Sequence, residues 1–224
     1  MSADWPKVLS AAQSRALDAF ALDKLGISGL VLMENAGRGL AELLLAQKPA
    51  SVAVVAGRGN NGGDGMVIAR HLDGSGIPVR ILLLAQPDRL SPDCAQNWQI
   101  ANRSGLQCHI DPQGHQLAAF LRGADWVVDA LVGTGLTGPL HAPLDAAVRA
   151  INTSGAKIFA VDLPSGLNAD TGEPMGDTIR AQLTGTMVSL KPGLLTPSGL
   201  AHAGKVAVVG LGLPQMRDNR WLVC

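Results

Sequence analysis

The chain has 224 residues, and its 47% hydrophobic content is enough for the core of one α/β domain. Lys+Arg and Asp+Glu both number 18 and form no basic run, which argues against a nucleic-acid partner. Three widely spaced cysteines (Cys94, Cys108 and Cys224) argue against a disulfide framework or a zinc site and favour the cytoplasm, and no apolar run reaches the ~18 residues that span a membrane.

The N-terminal part predicts two helices, one over residues 9–25 with Ser10 as its N-cap and one over residues 28–47. The β-branched run 52–56 predicts a strand that is buried on both faces. A flexible glycine-rich loop follows, and the next helix is predicted from about Gly65 to Leu72.

The same alternation continues to residue 212. Strands are predicted at 78–85, 106–110, 124–133, 156–166, 183–190 and 205–212, and helices at 92–105, 114–123 and 142–155. Alternating strands and helices favour right-handed crossovers, hence a mostly parallel sheet with helices on both faces.

One domain is therefore predicted over residues 1–224. The last stretch, "PQMRDNRWLVC", breaks the alternation. It fits a docking tail, or a chain that is the front half of a longer bifunctional enzyme.

Four predicted strands are each followed by a polar, glycine-rich segment. These segments are "GRGNNGGDG" at 57–65, "ALVGTGLTGP" at 130–139, "LPSGLNADTG" at 163–172 and "KPGLLTPSG" at 191–199. Ligands bind beyond the carboxyl ends of the strands in an open parallel sheet, so we expect one binding site at that edge.

The first of these segments formally matches G-x-G-x-x-G, which is weak on its own. The next strand ends at Gln86 instead of an acidic residue, which argues against a standard dehydrogenase, and the absence of GK[ST] excludes a P-loop. Main-chain amides and a helix N-terminus at this position predict a phosphate site. The alternative is a tight turn without a ligand.

Asp129 and Asp162 each close an apolar strand, where a carboxylate needs a partner. That partner is either a cation or a capped backbone N–H. Asn61, Asp129 and Ser165 together offer only oxygen ligands, which favour a hard, singly charged cation. Lys191 fits a phosphate contact, a proton-transfer group or a solvated lysine in a turn.

Other polar residues carry weaker expectations. Cys94 and Cys108 are interpreted as core residues, and the five histidines as surface residues. Glu34 and Asn35 fit either a core polar pair or a ligand contact.

Five motifs in order, "LMENAGRG", "GRGNNGGDG", "VVDALVGTGLTGP", "VDLPSGLNADTG" and "SLKPGLL", resemble the YjeF N-terminal domain family, the NAD(P)H-hydrate epimerases. The resemblance covers about residues 10–212. It implies a three-layer α/β/α Rossmann-like sandwich and an isomerase that interconverts the R and S forms of hydrated NADH and NADPH. It also implies one bound potassium ion (K⁺) and a partner NAD(P)H-hydrate dehydratase.

The resemblance assigns residues to roles by their place in the motifs. Its potassium ligands fall on Asn61, Asp129 and Ser165. Its substrate-binding residues fall on Asn60, Asn61, Gly62, Gly63, Asp64, Gly133, Thr134, Gly135, Leu136, Thr137, Gly138, Pro139 and Asp162. Asp162, and after it Lys191, are the predicted proton-transfer groups.

One position departs from the family pattern, since Gln182 stands where relatives often have aspartate. We expect a structural role there, because the position precedes a strand. The apolar helical pair at 16–46 suggests a homodimer surface. The rival hypothesis is a non-catalytic nucleotide-binding or scaffold module with the same fold.

Overall fold

The computed structural model describes residues 8–214. Seven parallel strands form one sheet in the order β3-β2-β1-β4-β5-β6-β7. The strands are β1 (Val52–Ala56), β2 (Val79–Leu83), β3 (Gln107–Ile110), β4 (Trp126–Ala130), β5 (Lys157–Val161), β6 (Leu183–Met187) and β7 (Lys205–Val209). The helices are α1 (Ala11–Asp23), α2 (Gly29–Leu45), α3 (Asn60–Gly74), α4 (Pro92–Arg103), α5 (Leu117–Leu121), α6 (Leu144–Asn152) and α7 (Pro197–Ala203).

The order of the strands determines where a crevice can open at the carboxyl edge of the sheet. The chain runs outward from β1 to β3, returns to β4 and then proceeds to β7 on the other side. β1 and β4 are paired in parallel, with Val55 opposite Asp129, and they form the topological switch point where such sheets open a crevice. The four strands followed by polar segments (β1, β4, β5 and β6) are neighbours in the sheet. Because the strands are parallel, the four segments lie at the same edge of the sheet, as the sequence predicts.

Helices cover both faces of the sheet, which confirms the predicted three-layer fold. On one face, Leu40 of α2, Met66 of α3 and Cys94 of α4 belong to the core that covers β1 and β2. On the other face, Leu117 of α5 and Val148 of α6 pack against a second core. β1 and β4 are buried on both faces, as their β-branched sequences predict.

Helix α1 lies at the carboxyl edge of the sheet. Ser10 caps it in a capping box with Gln13, as the sequence predicts. The preceding backbone is fixed by a hydrogen bond from Leu9 N to Leu190 O (2.9 Å), and Ala11 N donates to Asp170 Oδ1 (2.8 Å). Buried Leu17 packs in a small cluster with Leu9. Helix α1 is thereby held beside the segments that follow β5 and β6.

Two predictions about secondary structure are wrong. Helix α3 begins at Asn60, five residues earlier than predicted, so most of the supposed loop is helical. The "KPGLLTPSG" segment, predicted as a loop, contains a 3₁₀ turn and helix α7, capped by the Thr196 side chain. The "PQMRDNRWLVC" stretch lies outside the described residues beyond Pro214, as does Cys224. None of the described helices is long and apolar enough to cross a membrane.

Candidate active site

The glycines of the first motif serve close packing and not flexibility. None of the five glycines between residues 57 and 65, all of them in the described part, has a positive φ. A Cβ at Gly62 would lie 2.0 Å from Gly57 O, one at Gly63 2.5 Å from Met33 Sδ, and one at Gly65 2.5 Å from Ala130 Cβ. The helix therefore approaches its own preceding turn, α2 and β4 at distances that only glycine permits.

We expect Gly62→Ala to destabilise the fold by about 1–3 kcal/mol, because the new methyl would overlap a backbone carbonyl that cannot rotate away. The measurement is the free energy of unfolding in urea. Gly74→Ala, at the other end of the same helix, is the matched control, since a Cβ there meets nothing within 4 Å. It should be neutral or slightly stabilising. Equal stabilities for the two variants would contradict the packing interpretation.

The N-terminus of α3 faces the cleft without a side-chain cap. Its N-cap is Gly59, which has no side chain to accept from the first turn. Asn60 and Asn61 start the helix, and both line the cleft. The amide Nδ2 of Asn61 is buried and has no hydrogen-bond partner among the described residues. This end of the helix therefore offers main-chain and side-chain donors to an anionic ligand.

Three loops meet next to Asn61. A Cβ at Gly133 would lie 3.1 Å from Asn61 Oδ1 and 3.1 Å from Asp162 Oδ2. The absence of a side chain at Gly133 thus lets the segments after β1, β4 and β5 converge. The sequence prediction that these segments share one site agrees with this geometry.

Asp162 and Lys191 form a buried ion pair on the cleft wall. Lys191 Nζ donates to Asp162 Oδ1 at 2.6 Å, to Thr186 Oγ1 at 2.8 Å and to Met187 O at 3.1 Å. The side chain of Lys191 is 3% exposed and that of Asp162 is 7% exposed, so the interpretation of Lys191 as a solvated turn residue is wrong. Because Thr186 also donates to Asp162 Oδ1, the other carboxylate oxygen, Oδ2, is left facing Gly133.

The backbone that carries this pair adopts an unusual conformation. Asp162 has φ 66° and Val188, which lies in the segment between β6 and Lys191, has φ 63°. Aspartate tolerates the left-handed region, whereas a β-branched residue rarely enters it. Strain of this kind persists where the surrounding structure over-determines it, and it clusters at functional sites.

Asp129 and Ser165 lie beneath the cleft wall and are fully buried. Asp129 Oδ2 accepts from Ser165 N (2.8 Å), Oδ1 lies 2.7 Å from Ser165 Oγ, and Leu131 N also reaches Oδ1 at 3.3 Å. Burial raises the pKa of Asp129 to about 6, and these hydrogen bonds oppose the rise. The capped backbone N–H, one of the two alternatives for this carboxylate, is therefore present.

These residues have chemistry that suits a hard monovalent cation. The set combines one buried carboxylate with a hydroxyl and an amide oxygen. Ser165 Oγ accepts from Val132 N at 3.0 Å, and Asn61 lies against the next residue, Gly133. Among residues 8–214, no group of three or more His, Cys, Asp or Glu is arranged to hold a metal.

The cleft has a volume of about 1200 Å³, which exceeds the ~300–1,000 Å³ typical of small-ligand pockets and suits a dinucleotide. Of the predicted binding residues, the structure brings to its surface Asn60, Asn61, Asp64, Gly133, Thr134, Gly135, Leu136, Pro139, Asp162 and Lys191. Gly62 and Gly63 pack behind the wall, Asp129 and Ser165 lie beneath it, and Thr137 and Gly138 lie outside it.

Three further carboxyl groups line the cleft, Asp64 on α3, Asp93 on α4 and Asp18 on α1. Burial raises the pKa of Asp64 well above its usual value, and the negative charges of Asp162 and Asp18 add to the rise. Sequence reasoning missed Asp18, because nothing in an amphipathic helix near the N-terminus indicates which loops it will cover.

The other polar residues singled out in the sequence have structural roles. Glu34 pairs with Arg70 and with His71 Nε2. Burial raises the pKa of Glu34, but the hydrogen bonds from these two residues outweigh that effect, so its pKa lies below the usual value. Asn35 donates to Leu211 O. Gln182 accepts from Ile158 N, which agrees with the structural role expected for it. Cys94 is buried, whereas Cys108 is only half-buried.

Comparison with known proteins identifies the family. Residues 29–193 match the family described as "YjeF-related protein N-terminus". The chain belongs to this family. The match covers α2 to the segment after β6 and so includes the residues of the Asp162–Lys191 pair, but it leaves out α1.

Several relatives of this chain carry enzyme names. It is 42% identical to "NAD(P)H-hydrate epimerase" of Pirellula staleyi, over 95% of both chains. It is 38% identical to the protein of the same name from Limosilactobacillus fermentum, over 90% of this chain and 95% of that one. It is also 39% identical to "Bifunctional NAD(P)H-hydrate repair enzyme Nnr" of Thermofilum pendens, over 96% of this chain but only 42% of that protein.

A solved structure agrees with the fold. The crystal structure of the yeast protein ynu0 superimposes with a TM-score of 0.78 at 23% identity, over 95% of this chain and 96% of that one. At this level of identity the likeness establishes the architecture alone.

Proposed function

We propose that this chain is an NAD(P)H-hydrate epimerase, an isomerase that interconverts the R and S forms of hydrated NADH and NADPH. Relatives with that name are 37–42% identical over most of the chain. The structural observation that carries the proposal is the buried Asp162–Lys191 pair, set in a dinucleotide-sized cleft beside the uncapped N-terminus of α3.

We assign different regions of the cleft to the two ends of such a substrate. The free N–H groups at the start of α3 suit the pyrophosphate, since a helix N-terminus attracts anions. Asn61 Nδ2, buried and unpaired within the described chain, would gain an acceptor there. The nicotinamide ring would then lie toward Asp162 and Lys191, with the segment from Gly133 to Pro139 along its side.

Epimerisation requires the ring hydroxyl to leave, or the ring to open, and the bond to re-form on the other face. Either route needs a group that accepts and returns a proton close to the ring. Asp162 suits this role because its Oδ2 faces the convergence of the loops while Lys191 and Thr186 hold its Oδ1. Lys191 would keep the carboxylate oriented and is the second candidate for proton transfer.

The direct test follows the R and S hydrates of NADPH by chromatography after a mixture enriched in one form is added to the purified chain. The expected result is an approach to the equilibrium ratio faster than with heat-inactivated protein. The same chain should retain NADPH binding, measured by fluorescence. Binding without any acceleration would contradict the proposal and favour the non-catalytic module of the same fold.

We further propose that Asn61, Asp129 and Ser165 hold a potassium ion. When bound, the ion would supply positive charge beside the buried Asp129 carboxylate and tie the segments after β1, β4 and β5 together. The chain's own contribution is the oxygen-only ligand set and the glycine at 133 that lets these segments meet.

Removing potassium is expected to lower the epimerase rate and the thermal stability of the chain, because three loops would lose a shared partner. The measurement compares buffers with potassium and with tetramethylammonium at equal ionic strength, by activity and by thermal unfolding. Asp129→Asn should abolish the difference between the two buffers. A stabilising effect of potassium that is unchanged in Asp129→Asn would show that the ion binds elsewhere.

The remaining proposals concern the partner protein, the location in the cell and the oligomeric state. The bifunctional name of the Thermofilum pendens relative supports a dehydratase as the functional partner, which would act on the epimer that this chain supplies. We also propose a cytoplasmic location and a homodimer built on the apolar faces of α1 and α2. Leu22 and Val31 are exposed on those helices, at 45% and 49%.

A further inference from the structure

Helix α1 is built into the cleft although it lies outside the residues that match the family. Its start is joined to the segment that carries Lys191 by the hydrogen bond from Leu9 N to Leu190 O. Its middle reaches the segment after β4, where Arg15 Nη1 donates to Thr134 O at 3.4 Å. A side chain on the cleft face of α1 is therefore held at a defined place relative to the site.

Asp18 is that side chain. It lines the cleft together with Asp64, Asp162 and Lys191, and it accepts no hydrogen bond from another residue in the range 8–214. The residue as a whole is exposed to solvent, so its carboxyl group can exchange protons with water. Partial desolvation in the cleft raises the pKa of Asp18 to about 6; the charge of Asp162 raises it too, and Lys191 opposes the rise.

The charges around Asp18 explain why this carboxyl is available for proton transfer. Lys191 is already engaged by Asp162 at 2.6 Å, so it does not form an ion pair with Asp18. The other charged or titratable groups that line the cleft are Asp64 of α3, Asp93 of α4, Arg15 of α1 itself, and Arg58, Arg89 and His141 from the connecting segments. Arg15 donates to Thr134 O. Within residues 8–214 Asp18 forms no ion pair, and it lies on a different wall of the cleft from Asp162.

We propose that Asp18 is a second catalytic group of the epimerase, the proton donor that acts on the substrate hydroxyl from the α1 wall of the cleft. The inference rests on the proposed function. Asp18 gives its proton as the C–O bond breaks and water leaves, with the ring nitrogen supplying the electron pair. Water then adds to the other face of the ring, and Asp162 takes its proton. The exposed Asp18 regains a proton from solvent, Asp162 releases one, and no further reactant is required.

The test compares Asp18→Asn with Asp23→Asn, an exposed aspartate on the same helix that does not line the cleft. Asp18→Asn should lower kcat for NADPH-hydrate epimerisation about 100-fold, leave KM within about twofold and leave the urea unfolding curve unchanged. Asp23→Asn should match the wild type. Asp18→Glu should regain part of the rate, because a proton donor is restored.

The pH profile separates proton donation from positioning. After subtraction of the uncatalysed rate, the wild-type kcat/KM should fall as pH rises through about 6, since only the protonated form of Asp18 donates. Asp18→Asn should lack that limb. A reduced rate with the limb intact would overturn the role as proton donor. An equally active Asp18→Asn variant would overturn this inference alone, whereas an inactive wild type would overturn the proposed function as well.

Discussion

Asp162→Asn is expected to lower the epimerase rate by about two to four orders of magnitude, because an amide cannot accept and return a proton as the carboxylate does. Asparagine is the appropriate replacement, since it tolerates φ 66° as well as aspartate and keeps an oxygen for Lys191 and Thr186. The measurement is the rate of R and S interconversion by chromatography, with the unfolding curve recorded for the same sample.

Asp177→Asn is the matched control for this experiment. Asp177 also follows β5, but it pairs with Arg149 at the surface, where solvent screens the ion pair and its contribution to stability is small. We expect it to retain the wild-type rate. An Asp162→Asn variant that is folded and fully active would remove Asp162 from the chemistry and leave Lys191 and Asp18 as the remaining candidates.

The second large effect concerns stability. Lys191→Met is expected to destabilise the fold by about 3–5 kcal/mol, because it leaves the Asp162 carboxylate buried without its cation. The side chains of the pair are only 3% and 7% exposed, so solvent cannot replace the lost partner. The measurement is the free energy of unfolding from urea titration at neutral pH.

The double variant Asp162→Asn/Lys191→Met tests the cause of that loss. Since it removes both charges, it should be more stable than Lys191→Met alone, and the two substitutions should be non-additive. Strictly additive losses would indicate that Lys191 stabilises the fold through packing and its contact with Met187 O instead of through Asp162. Epimerase activity should be low in both variants.

The regular elements and the ligand edge could be predicted from the sequence, because the relevant information is local. The runs at 52–56 and 126–128 are apolar and β-branched, so their burial follows from composition. Strand and helix alternation implies parallel pairing, which brings all strand ends to one edge. The motif resemblance predicted the family correctly, and the named epimerases among the relatives support the activity.

The parts that could not be predicted depend on distant contacts. The sequence Asn-Asn-Gly-Gly-Asp has poor helix propensity, and α3 extends through it because packing against α2 and β4 outweighs that preference. The burial of Lys191 depends on a partner 29 residues away in the chain. Asp18 enters the site only because the segment before α1 pairs with Leu190.

The contrast among the glycines has a practical consequence for redesign. Methyl groups at Gly135 and Gly138, on the segment after β4, would meet nothing within 4 Å, whereas those at Gly62 and Gly65 would collide with backbone or core. Libraries meant to broaden nucleotide preference should therefore diversify Gly135, which lines the cleft, and Gly138, which follows it in the same segment. The glycines of α3 should be kept fixed, because variation there selects for folding before it can select for ligand choice.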